Sequence, residues 1–134
     1  MRFVRFKSAQ DEPQYGWLHE NQVGRIEGEL FGAYKRLKAE IPLKEVQLLA
    51  PSLPSKIVCV GRNYVEHAKE LGNEVPKIPL IFLKPPSSII APGETILLPP
   101  QSVQVEHEAE LVAVIGKRGR NITAESAREY IMVY

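Results

Sequence analysis

Hydrophobic and polar positions follow one rhythm up to about residue 50 and another beyond it. In the first stretch Phe3, Arg5 and Lys7 alternate with Val4 and Phe6, as in a strand. Residues 15–18 and 23–26 flank a polar 19–22 and read as a hairpin, with Trp17 as its core anchor and His19 facing solvent in the turn. Residues 31–40 have helical spacing, with Phe31, Tyr34, Leu37 and Lys38 near one face, and stop before Pro42. A short strand is expected at 46–50. Pro51 and Pro54 with their neighbouring serines then mark a linker, placing a small appendage at 1–50 and a second domain at 51–134.

The second rhythm is one of short, almost wholly apolar runs. Residues 56–60 and 80–83 are expected to be strands buried on both faces. Between them, 64–71 reads as a helix closed by Gly72 and Asn73. Prolines bracket 95–98, and 105–115 reads as the longest strand. A basic turn at 116–119 leads to an expected helix at 123–130 with Thr123 as its N-cap. Many prolines and few helical stretches make the fold α+β and β-rich. Residues 131–134 have strand propensity, so the chain reads as stopping at the opening of a further strand.

Composition narrows the function. Seventeen Lys+Arg against sixteen Asp+Glu leave a net charge of +1, which gives no footprint for nucleic acid or an anionic membrane surface. The basic turn at 117–120 is the one feature favouring nucleic acid, and a turn of that size is ordinarily solvated. No apolar run approaches membrane-spanning length, and the first residues lack a signal-peptide pattern. Cys59, the only cysteine, cannot form an internal disulfide and reads as a small buried hydrophobe in a cytosolic protein.

Three groups of residues could carry chemistry. On an extended strand Glu106, Glu108 and Glu110 share one side, followed on that side by Val112 and Val114. Neighbouring carboxylates heading into an apolar interior are costly unless a hard cation such as Mg²⁺ or Mn²⁺ neutralises them. Spacing alone favours a plainer reading, a solvated strand end. His67 and Glu70, three apart on a helix, could form a general base oriented by a carboxylate, although spacing alone again favours a surface ion pair. Gly61 permits a sharp turn after a buried strand, which sets Arg62 and Asn63 at its mouth. Arg62 could clamp a substrate carboxylate, and Lys84, ending the next strand, is a similar candidate. Dinucleotide, phosphate-loop, nucleophile-elbow and zinc patterns are absent.

Taken in order, KIVCVGRNYVEHAKELG (56–72), PLIFLKPPSSI (79–89) and VEHEAELVAVIGK (105–117) resemble the fumarylacetoacetate hydrolase family. The resemblance implies a mixed β-roll catalytic domain, usually in a homodimer, preceded by a small structural N-terminal domain. It implies that Glu108 and Glu110 bind Mg²⁺ or Mn²⁺. It implies that His67 and Glu70 form a dyad on a short lid helix. A third metal carboxylate, an aspartate on a strand just after 123–130, is expected in such proteins and has no counterpart here. The chain is therefore expected to be either part of a longer polypeptide or a genuine fragment.

The activity so implied is C–C bond hydrolysis in a small 2-oxo acid of acylpyruvate or fumarylpyruvate type. Mg²⁺ on Glu108 and Glu110 would stabilise an enolate, His67 oriented by Glu70 would activate water, and Arg62 or Lys84 would hold the distal end of the substrate. Decarboxylase, isomerase or hydratase action on 2-oxo-dioates of aromatic catabolism, and a non-catalytic fragment keeping the fold, stand as alternatives.

Overall fold

The computed structural model describes residues 1–9 and 11–134 and is strand-rich, with one short α-helix. It divides into two compact units, Met1–Gln47 with Thr95–Tyr134, and Leu48–Glu94.

The first unit is organised by an antiparallel sheet of β1 (Arg2–Lys7), β2 (Gln14–His19), β3 (Gln22–Gly28) and β4 (Tyr34–Pro42). The short β5 (Gln47–Leu48) adds to the β1 edge, giving the order β4-β3-β2-β1-β5. The hairpin expected at 15–26 is β2–β3, turning at Glu20 and Asn21 with Glu20 in the left-handed region at φ 51°. His19 ends β2 and is exposed.

The sheet's fully buried side chains are Phe6 and Val23, each worth about 1.5–3 kcal/mol on burial. Both pack over Gly16, where an added Cβ would stand 2.6 Å from the Phe6 ring and 3.1 Å from Val23. Trp17 is not the core anchor expected of it. It lies half-buried on the opposite face, over Gly24, where its indole Nε1 donates to the Leu37 carbonyl at 2.9 Å and the Arg36 guanidinium sits 5.1 Å from its ring centre.

The helix expected at 31–40 is instead β4. Its pairing with β3 is interrupted twice: Val23 faces Ile41 but Gly24 faces Ala39, and Ile26 faces Arg36. Each interruption places an extra residue in β4, a bulge that breaks period-2 alternation and lets Tyr34, Leu37 and Lys38 look helically spaced. Asp11, beside the sheet, accepts from the Ser8 hydroxyl at 2.6 Å and from Arg25 at 2.7 Å. Those two bonds, the hydroxyl foremost, hold its carboxyl below the usual range.

Further along this unit the expected strand at 105–115 shrinks to β8 (Val114–Ile115), paired with β9 (Ile131–Val133). Residues 95–98 form no strand, and Ile96, Leu97 and Leu98 are exposed. A strand exists only through a ladder of its neighbours' hydrogen bonds, and among the described residues no strand is laddered to 105–113. The helix expected at 123–130 is a single 3₁₀ turn, Ala127–Tyr130, after a turn in which Thr123 Oγ1 accepts from the Ser126 amide at 3.4 Å.

The second unit contains an antiparallel ribbon, β6 (Ile57–Gly61) and β7 (Leu80–Lys84), and the helix α1 (Val65–Glu70). Both expected strands exist, but neither is buried on both faces. Cys59 is half-buried rather than enclosed.

Candidate active site

Residues 61–73 carry the densest set of candidate groups. β6 ends at Gly61, whose open α-carbon accommodates the Leu80 side chain, 3.1 Å from where a Cβ would stand. The sharp turn falls one residue later than expected: Arg62, not Gly61, takes the left-handed conformation, at φ 56°. For a residue with a Cβ that geometry costs about 1–2 kcal/mol, and it re-aims the chain into α1.

The helix is six residues long and begins at Tyr64 without a side-chain cap. Its far end is closed by a Schellman arrangement. Gly72 at φ 67° donates to the Lys69 carbonyl at 2.9 Å, and Asn73 donates to Ala68 at 2.8 Å. Ala68 is its one buried side chain, which leaves His67 and Glu70 exposed.

His67 Nδ1 lies 3.6 Å from Glu70 Oε2. That is too long for a hydrogen bond but close enough for the carboxylate to bias the ring's orientation. Glu66 reaches Lys69 at 2.9 Å, a separate exposed pair that supplies helix support rather than chemistry.

Arg62 and Lys84 are not brought together. Lys84 faces Ile57 at the start of β6, whereas Arg62 follows Gly61 at its end. At ~3.4 Å per residue the two backbone positions are separated by roughly 15 Å of ribbon. Arg62 is the one next to α1.

Glu108 and Glu110 are exposed and lie in the segment without strand pairing, so the common ladder face that was to unite them with Glu106 is not formed. Glu106 instead contacts the Gln104 amide. No cluster of three or more His, Cys, Asp or Glu positioned to hold a metal occurs among the described residues. Two hard carboxylates separated by one residue nevertheless suit Mg²⁺, which is commonly held by one or two protein carboxylates plus water and substrate oxygens.

The comparisons agree with this strand-rich frame. The family model described as fumarylacetoacetate (FAA) hydrolase C-terminal matches residues 56–134, and one described as Rv2993c-like, N-terminal matches residues 1–51. The chain belongs to the fumarylacetoacetate hydrolase family. It is 47% identical over 109 residues to the mitochondrial oxaloacetate tautomerase FAHD2B of Homo sapiens, covering 78% of this chain and 35% of that protein. Among solved structures it resembles a 5-carboxymethyl-2-hydroxymuconate delta-isomerase from Mycobacterium smegmatis, with a TM-score of 0.81, 35% identity, and 98% of this chain and 52% of that one covered. A 2-hydroxyhepta-2,4-diene-1,7-dioate isomerase from Mycobacterium marinum gives a TM-score of 0.82 at 34% identity, with 98% of this chain and 51% of that one covered. The chain thus spans about a third of the tautomerase and about half of each isomerase.

Proposed function

We propose that this chain is part of an enzyme that processes a small 2-oxo acid by proton transfer at the carbon next to the 2-oxo group. The observation that carries the reading is the His67–Glu70 pair, one helical turn apart on an exposed face of α1 and directly after Arg62. In this reading the imidazole takes a proton from that carbon and returns one to the enol oxygen or to a conjugated carbon. Glu70 stabilises the imidazolium formed in between, and Arg62 binds a substrate carboxylate. Glu108 and Glu110 hold Mg²⁺ or Mn²⁺, which when bound supplies Lewis-acid polarisation of the 2-oxo group. Lys84 at the other end of the ribbon is a less direct candidate for substrate contact.

The names of the tautomerase and the two isomerases favour keto–enol and double-bond isomerisation over C–C hydrolysis. Hydrolysis uses the same imidazole to take a proton from water and remains the second reading. A homodimer, a cytosolic location and the division of the chain at residue 50 belong to the same proposal. No helix among the described residues is long and apolar enough to cross a membrane.

The test is enol–keto interconversion of oxaloacetate, followed by ultraviolet absorbance with Mg²⁺ present, beside an acylpyruvate hydrolysis assay. Interconversion that His67→Ala abolishes supports the reading. Hydrolysis without interconversion selects the second reading, and turnover unaffected by His67→Ala removes the dyad from both.

A further inference from the structure

The segment that carries Glu108 and Glu110 joins a ladder only at β8. Among the described residues none from 89 to 113 lies in a helix or strand. Val114 follows Glu110 by four residues, roughly 14 Å of extended chain at ~3.4 Å per residue. A two-residue strand specifies its own register poorly, and β8 is irregular as well. Val114 faces Val133 but Ile115 faces Ile131, which leaves Met132 as an extra residue in β9. Side chains two apart on an extended chain share a side, so Glu108, Glu110, Val112 and Val114 turn together. A slip of one residue at β8 would turn both carboxylates to the other side and move them by ~3.4 Å.

Tyr130 stands where that slip would have to pass. Its carbonyl accepts from the Gly116 amide at 2.8 Å, one residue beyond β8. Its half-buried ring is held twice more. The Lys117 ammonium lies 4.3 Å from the ring centre, and Gly119 lies so close to the ring edge that a Cβ there would overlap it. Lys117 also pairs with Glu129 at 3.7 Å. A slipped register would break the backbone bond and draw the ammonium off the ring together. We infer that Tyr130 and Lys117 form a register lock and are positioning residues for the Glu108 and Glu110 carboxylates. They act through the register of β8 rather than by contact with the ion. The inference deepens the metal assignment proposed above and rests on it.

The experiment reads register and metal affinity separately. Register is read on this chain in a Cys59→Ser background, by mild oxidation and peptide mass mapping. Val114→Cys with Val133→Cys reports the observed pairing, and Val114→Cys with Met132→Cys or Tyr134→Cys reports a slip of one residue either way. Mg²⁺ affinity is read by calorimetry on the complete enzyme. Lys117→Met and Tyr130→Leu should lose the 114–133 disulfide in favour of the slipped products and weaken Mg²⁺ binding by about 10-fold. Lys117→Arg and Tyr130→Phe, which keep the cation and the ring, should restore both readouts. Lys117 is exposed, so Lys117→Met should leave the thermal midpoint in place. Arg118→Met, removing the neighbouring exposed charge, should change neither readout. Retention of the 114–133 disulfide in both Lys117→Met and Tyr130→Leu overturns the inference, as does equal weakening by Arg118→Met. Unchanged Mg²⁺ affinity in those two variants, while Glu108→Gln weakens it, overturns the lock and leaves the metal assignment standing. Unchanged affinity in Glu108→Gln as well overturns both.

Discussion

His67 and Glu70 stand one helical turn apart on α1, with Nδ1 3.6 Å from Oε2 and both side chains facing solvent. The distance makes Glu70 an electrostatic partner rather than a tight hydrogen-bond acceptor, so the two residues are expected to differ in weight. In the complete enzyme, His67→Ala should lower kcat by about 10²–10⁴-fold, the usual contribution of a positioned general base. Glu70→Gln should cost less, because the carboxylate orients the ring without a tight hydrogen bond and the amide keeps its shape. Mg²⁺ affinity, measured by calorimetry, should be unchanged in both.

Metal binding is expected to depend on the other pair. Glu108→Gln or Glu110→Gln should weaken Mg²⁺ or Mn²⁺ binding by more than about 100-fold, because losing an outer-shell partner alone costs 10–100-fold. Calorimetric titration reads this directly. Unchanged affinity in both variants removes the assignment.

The sheet of the first unit offers a test of packing. Phe6 is fully buried against Gly16, so Phe6→Ala should destabilise the unit by about 3–5 kcal/mol, read from the denaturant midpoint at constant slope.

On the other face, Gly24→Ala would drive a Cβ into the Trp17 indole and to within 2.7 Å of the Leu37 carbonyl. The expected cost is about 1–3 kcal/mol. Trp17 is the only tryptophan, so its emission should shift to the red as the indole loses its bond to Leu37 and moves toward water.

Asp11 gives a pH dependence with a defined sign. The Ser8 hydroxyl and the Arg25 guanidinium lower its folded-state pKa below the unfolded value, so the pair stabilises the fold above the unfolded carboxylate pKa. That contribution is lost as pH falls through the lowered folded value. Asp11→Asn should therefore reduce the thermal midpoint at neutral pH and make no difference once the medium is acidic enough to protonate the native carboxyl.

The hairpin at 15–26, the strands at 57–60 and 80–83, and the Gly72-closed helix were legible because each is specified locally, by alternation, an apolar run or a left-handed glycine. The family was legible through the joint order of three segments. What the sequence hid depends on partners or on irregularity. Two bulges disguised β4 as a helix, and Gly24, opposite Trp17, drew the indole away from the Phe6–Val23 core. Arg62 took a backbone conformation that glycine grammar assigned to Gly61. The longest failure is 105–113, whose apolar alternation signals a strand that needs neighbours to exist. With it went the shared ladder face for Glu108 and Glu110, so their roles rest on chemistry and family resemblance.

The brevity of α1 bears on how the enzyme would respond to heat. Helices of this size do not persist in water unaided, and this one is held by a glycine-closed end and one inward alanine. The imidazole therefore rides on a segment whose local opening costs less than melting the five-stranded sheet. Warming should erode turnover while the bulk of the fold still stands, so inactivation and unfolding would trace separate curves.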